Sequence, residues 1–210
     1  MNEGQEQRRA KGVSARSDVR VRLLEATIGV LDTAGPAAAT SRAIADAAGE
    51  NLASITYYFG SKRELVNEAM VTVTRRLIQP AVAEFADDGR DSIAKLLGAV
   101  QQLYRILNEH ETLLGPYTHS LAAATTDAAI AAEVRSLHRE LASVLAAEIV
   151  AQKHQGLLPD WVQPDSMAQL IVSLVNGVAV SIAIDPDATD PTALGSQFAQ
   201  LLLAVRAPAP

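Results

Sequence analysis

The stretch "TSRAIADAAGENLASITYYFGSKREL", at Thr40–Leu65, decides the fold. Its opening Thr-Ser pair can cap a short helix, and Gly49 can end that helix. A second short helix follows. Ser61 and Glu64 then fit the S-x-x-E capping box that starts a longer helix. Two short helices separated by a tight turn, after a longer first helix, predict a helix-turn-helix arrangement.

The second short helix has two different faces. At about 100° per residue, one arc collects the apolar side chains of Leu52, Ile55 and Phe59, with Thr56 at its border. The opposite arc is uncharged, small and aromatic, and it holds Ala53, Ser54, Tyr57 and Tyr58. Such a face can approach DNA without repulsion, and its hydroxyls can bond phosphates or base edges. The alternative, strongest for Tyr58, is that the tyrosine rings pack on the rear domain.

These residues resemble the DNA-binding signature of the TetR family of bacterial transcriptional regulators. The matching features are the T-x-x-x-I-A-x-x-A-G run, the Y-x-F-x-S-K close and the Leu65 that follows. The resemblance implies that Thr40, Ser41 and Arg42 touch phosphate, as does Lys62 at the start of the next helix. It also implies that DNA is contacted by Asn51, Leu52, Ala53, Ser54, Thr56, Tyr57 and Tyr58. Glu50 departs from the family, which usually has a small apolar residue there, and we expect it to face solvent or to charge the helix N-terminus.

Charge is distributed unevenly along the 210 residues. The net charge is −6, yet residues 1–79 hold 11 Lys and Arg against 9 Asp and Glu. Six basic residues lie between Arg8 and Arg22, including Arg9, Lys11 and Arg20. A polyanion partner at this end is plausible, and a solvated tail with no partner is equally compatible with the charge. We expect residues 1–16 to form a disordered basic arm, which in the family sometimes lies along the minor groove.

Composition limits the remaining classes of function. The absence of cysteine excludes disulfides and thiolate chemistry. The N-terminus lacks the apolar core of a secretory signal, and the most apolar run, Leu170–Ile184, is too short to span a membrane. No histidine has a glutamate three residues before it, and no H-E-x-x-H occurs. We therefore expect a cytoplasmic protein that is not an enzyme, with no catalytic residue, metal, cofactor or membrane partner.

Helical spacing dominates the whole chain, which predicts an all-α protein of about nine helices. The domains expected are the arm at 1–16, the helix-turn-helix domain at 17–66 and a ligand-binding and dimerisation domain at 67–210. A first helix from Ser17 or Asp18 ends near Ala34, and the fourth fades near Pro80. Later helices cover about 91–110, a segment restarted at Gly115–Tyr117, 127–155, 165–184 with Asp165 as its cap, and 191–205.

The resemblance implies a homodimer that responds to a small, mostly apolar effector. Wide apolar stripes on the last two helices agree with a four-helix dimer interface, and the alternative is that they face the subunit's own core. The interface candidates are Leu170, Leu174, Val178, Phe198, Leu201 and Leu202. The effector-pocket candidates are Leu103, Tyr104, Leu107, Tyr117, His119, Leu121, Leu137, Val144 and Trp161.

The function expected is that of a ligand-responsive repressor that binds a palindromic double-stranded DNA operator and is released by its effector. A constitutive repressor without effector is the first alternative. A helical-bundle enzyme and an adaptor that binds only protein are the others.

Overall fold

The protein is all-α, as the sequence predicts. The computed structural model describes residues 3–86 and 113–187, together with residues 190, 193, 194, 196, 197, 200, 201 and 204. Seven helices have their bounds in these ranges: α1 (Glu3–Ala38), α2 (Ser41–Ala48), α3 (Leu52–Phe59), α4 (Lys62–Ala86), α5 (Leu114–Ala123), α6 (Ala128–His154) and α7 (Pro164–Ile184). Residues 193–204 are helical where they are described. The helix expected at 91–110 lies outside the described residues.

The first helix begins earlier than the sequence analysis expected. It starts at Glu3 rather than at Ser17 or Asp18. Glu, Gln, Arg, Lys and Ala dominate residues 3–16, and all five are good helix formers. The helical path breaks at Gly35, where φ is +73° and ψ 176°, and Pro36 follows. The predicted stop at Ala34–Pro36 is therefore confirmed.

The caps of the central helices follow the sequence closely. The Thr40 side chain accepts from the Ala43 N–H, and Gly49 ends α2 in the left-handed conformation. The Ser61 Oγ accepts from the Glu64 N–H at 3.2 Å, as a capping box requires. Asp127 caps α6 by accepting from two backbone N–H groups, and these bonds lower the pKa of its carboxyl.

Two helix ends differ from expectation. α4 runs past Pro80 to Ala86, since proline removes one backbone donor but leaves the helix continuous here. α7 begins at Pro164 with Gln163 as its N-cap, so Asp165 lies in the first turn instead of capping it. Proline suits the first helical position because its missing N–H has no intrahelical partner there.

Two buried clusters form the interior. The first joins α1, α2 and α3 to the first half of α4 and to α5, and its centre includes Leu23, Ile44, Ile55, Leu65 and Tyr117. The second lies between the end of α4, α6 and α7, and includes Ile78, Phe85, Leu141 and Val172. α4 contributes to both clusters. It therefore connects the small front helices to the larger rear bundle.

Candidate nucleic-acid interface and interior polar cluster

The short helix α3 buries two of its side chains. Ile55 is 2% exposed and Phe59 8%, and both pack in the first cluster. Leu52 is 51% exposed, so its predicted place in the hydrophobic anchor is wrong. Leu52 is the first residue of α3, so no earlier turn of the helix holds its side chain against α1 or α2. Its exposure leaves it on the outer surface with the groove-facing candidates.

The two tyrosines of α3 have different environments. Tyr57 is 66% exposed, as predicted. Tyr58 is only partly exposed and packs against the first cluster, so the prediction that it points away from the core is wrong. The two rings meet edge to face with centroids 4.8 Å apart. The Tyr58 ring thus lies between the first cluster and the Tyr57 ring, which is exposed.

None of the eleven residues predicted to contact DNA is buried. Ser41, Ser54 and Tyr58 are partly exposed, and the other eight are exposed. The side chains of Thr40 and Asn51 are used as caps, and Asn51 Oδ1 accepts from the Ala53 N–H at 2.9 Å. Capping leaves the amide NH2 group of Asn51 available for a phosphate or base edge. Lys62 is exposed at the first position of α4.

Glu50 does not face solvent. Its carboxylate accepts from Arg22 Nε at 3.1 Å and also from Arg22 Nη2, and its side chain is only 15% exposed. Arg20 is likewise paired with a carboxylate, because its Nη2 donates to both oxygens of Glu68 at 2.6 Å. Arg20 and Arg22 therefore belong to internal ion pairs and not to a free basic strip.

Comparison with known families decides the assignment. The family model "Bacterial regulatory proteins, tetR family" matches residues 23–69, and a second, "BetI-type transcriptional repressor, C-terminal", matches residues 108–206. Together they span well over half of the chain. The chain belongs to the TetR family. It is a DNA-binding transcriptional regulator, and the helix-turn-helix of α2 and α3 is its family-defining element.

Relatives of this TetR-family chain are distant in sequence. It is 25% identical over 170 residues to the HTH-type transcriptional regulator BetI of Vibrio atlanticus, covering 79% of this chain and 80% of that protein. An uncharacterised HTH-type regulator of Xanthobacter autotrophicus is 25% identical over 174 residues, covering 80% and 82%. A regulator from Saccharomonospora viridis, solved with choline, superposes with a TM-score of 0.79 at 18% identity, covering 92% and 100%. FadR of Bacillus subtilis, solved with stearoyl-CoA, gives 0.72 at 14% identity, covering 88% and 97%. These superpositions show a shared fold.

The rear bundle of this TetR-family protein contains an interior polar cluster. Tyr117 on α5 is 3% exposed, and its hydroxyl donates to Asn176 Oδ1 on α7 at 2.6 Å. The Tyr117 hydroxyl oxygen also lies 3.2 Å from His138 Nε2 on α6. Because the hydroxyl proton goes to Asn176, the histidine must donate from Nε2. Burial raises the pKa of Tyr117 and lowers that of His138, so both are neutral near pH 7.

Three helices therefore meet at one hydroxyl group. The sequence predicts Tyr117 as a pocket residue but predicts neither His138 nor Asn176. Each had a signal, since His138 follows Leu137 on an otherwise apolar stripe and Asn176 interrupts the apolar run of α7. Neither signal indicates which helix the polar atom meets.

The other pocket candidates are scattered. His119 and Leu121 are partly exposed on α5, and Leu137 and Val144 pack in the second cluster. Trp161 is 67% exposed in the connector before α7, so its prediction as an interior pocket residue is wrong. The tight turns around Pro159 leave its ring outside the bundle. Leu103, Tyr104 and Leu107 lie outside the described residues.

The outer face of α7 is apolar and uncovered. Leu170 is 61% exposed, Leu174 40% and Ile184 78%, while the inner face buries Ala168, Val172 and Ala179. Val178 is partly exposed, and Leu201 in the final helical segment is 57% exposed. Phe198 and Leu202 have no described placement. By length and composition α7 is also the one helix of the described chain that could cross a membrane, although it packs along α6.

Within the described ranges, no group of three or more acidic or histidine side chains is placed to hold a metal ion.

Proposed function

We propose that this protein is an effector-responsive repressor that binds a palindromic operator as a dimer in the bacterial cytoplasm. DNA binding is supported by the outer surface of α3, which is exposed and uncharged beside the Asn51 cap. The exposed residues of this surface are Leu52, Ala53, Thr56 and Tyr57. An exposed face of this kind on a helix anchored by only two core residues suits insertion into the major groove.

A dimer is supported by the uncovered face of α7. Exposed leucines at Leu170 and Leu174, continued by Ile184, form an apolar strip that is unusual on a monomer. A second copy of the same strip across a two-fold axis would cover it, together with Leu201. The same axis would place two copies of α3 on successive major grooves, about 34 Å apart.

Effector control is supported by the polar cluster of Tyr117, His138 and Asn176. Its groups lie in an apolar bundle, where a mostly apolar molecule with a hydrogen-bonding group would find partners. α5, which carries Tyr117, also packs against α1 and α4 of the front domain. A ligand that moved α5 would therefore act on the helices that support α3.

The experiment is selection of bound fragments from random duplex DNA, followed by fluorescence anisotropy on the selected duplex. We expect a palindromic sequence and two subunits, or a multiple of two, per duplex. Choline and stearoyl-CoA, the ligands of the two structural neighbours, are the first effector probes. Release of DNA by a probe, and loss of that release in Tyr117→Phe, would support effector control. A protein released by no tested small molecule would be the constitutive repressor of the first alternative, and one that selects no DNA would contradict the proposal.

A further inference from the structure

Two arginines of α1 hold the two ends of α3. Arg22 donates to Glu50, the residue just before the Asn51 cap, through both Nε and Nη2. Arg20 lies over the ring of Phe59, the last residue of α3, with its guanidinium carbon 4.7 Å from the ring centroid. One helix therefore contacts both the entry and the exit of the recognition helix.

The entry contact is partly shielded from water. The Glu50 side chain is 15% exposed, so its carboxylate is largely removed from water and depends on Arg22 for compensation. Two nitrogens of one guanidinium on the same carboxylate also fix direction, which a lysine could not do. By contrast, the pair of Arg42 and Asp46 on α2 is 3.9 Å apart with side chains 85% and 75% exposed, where solvent screens it.

Glu50 is held from two sides. Its backbone N–H donates to Ala45 O at 2.9 Å, which ties it to α2, while its side chain is tied to α1. α3 itself buries only Ile55 and Phe59. With so small an apolar anchor, the direction of α3 depends on how the residue just before its cap is fixed.

We propose that Arg22 and Glu50 are positioning residues for sequence recognition. The ion pair fixes the entry of α3 on α1, and the contact of Arg20 with Phe59 fixes its exit. Because Glu50 cancels the charge of Arg22, the pair adds no net attraction for phosphate. It therefore governs discrimination between the operator and other DNA. This inference rests on the proposed binding of DNA by α3.

The test uses the full chain and compares Glu50→Ala with a matched control, Glu25→Ala. Glu25 also pairs with an arginine, Arg76, between α1 and α4, but it does not touch α3. The probes are the duplex that the wild-type protein selects from a random library and a scrambled duplex of the same composition. Affinities are measured by fluorescence anisotropy, with thermal melting alongside.

We expect Glu50→Ala to bind the selected duplex about tenfold more weakly, with the scrambled duplex bound as well as before or better, because the charge of Arg22 is released. The double variant Arg22→Glu with Glu50→Arg should recover discrimination. Glu25→Ala should keep the wild-type ratio of the two affinities. Equal weakening on both duplexes, or an unchanged ratio in Glu50→Ala, would overturn the inference.

Amide hydrogen exchange without DNA gives an independent readout. We expect faster exchange across residues 53–60 in Glu50→Ala and not in Glu25→Ala. Unchanged exchange would contradict the positioning role even if the wild type binds DNA specifically. A wild-type protein that selects no sequence would instead contradict the proposed function, so the two failures can be told apart.

Discussion

The hydroxyl groups of Thr74 on α4 and Ser120 on α5 lie 2.8 Å apart, and neither residue is exposed. Thr74 also donates to Met70 O, and Ser120 to Tyr117 O. The two hydroxyl groups have one proton each for three possible hydrogen bonds, so when one hydroxyl donates to the other it gives up its own backbone acceptor. The contact joins α4, which follows α3 in the chain, to α5, which carries Tyr117. Movement of α5 along α4 must therefore break a buried polar contact or take α4 with it.

Thr74→Val should destabilise the protein by about 1–2 kcal/mol, because it removes a fully buried hydroxyl and leaves Ser120 with one partner fewer. Thr33 is the control, since it makes the same bond to the carbonyl four residues earlier but is exposed. Thr33→Val should change stability by less than about 0.5 kcal/mol. Urea denaturation measures both, and equal effects would show that the contact with Ser120 contributes nothing beyond the local helix.

His138 should make stability depend on pH in a narrow window. Burial lowers its pKa in the folded state, so the unfolded chain, with a pKa of about 6.5, takes up the proton first. Stability is therefore full above about pH 6.5 and falls as pH drops through that value toward the folded pKa. Glu25 and Asp127 have carboxyls with a lowered pKa, and these groups change the stability only at lower pH.

His138→Gln keeps a donor for the Tyr117 hydroxyl and removes the titrating group. The difference in unfolding free energy between wild type and this variant should shrink between about pH 7.5 and 5.5. A difference that stays constant over this range would show that His138 titrates alike in the folded and unfolded chain.

Leu174→Glu should convert the dimer to a monomer, because it places two carboxylates opposite each other in the proposed interface. The matched control is Val21→Glu, which charges an apolar side chain that is 51% exposed on α1. Sedimentation velocity separates the outcomes. A Leu174→Glu protein that remains dimeric would place the subunit contact elsewhere, and a wild-type monomer would contradict the dimer itself.

The sequence predicted the parts of this fold that depend on neighbours in the chain. Thr40, Gly49 and Ser61 act within a few residues, so their roles as caps and stops are readable from spacing alone. Helical period also separated Ile55 and Phe59 from Tyr57. The helical period failed at Leu52 because it assumes the same surroundings along the whole helix. Leu52 is the first residue of α3, where those surroundings are missing.

Contacts between distant segments could not be predicted. Arg22 lies 28 residues from Glu50, and Tyr117 lies 59 residues from Asn176. Sequence spacing does not predict either pair, because the angle between the two helices decides whether the side chains meet. The early start of α1 was not predicted for a different reason. Residues 3–16 are polar, and polarity alone does not reveal that they also have high helix propensity.

The exposed ring of Tyr57 tests the central claim most directly. Tyr57→Ala removes a side chain that is 66% exposed, so melting temperature and helical content should match the wild type. Binding to the duplex selected by the wild-type protein should weaken about tenfold or more, since a base or backbone contact is lost. If the variant folds normally and binds that duplex with unchanged affinity, the outer face of α3 is not the surface that recognises DNA.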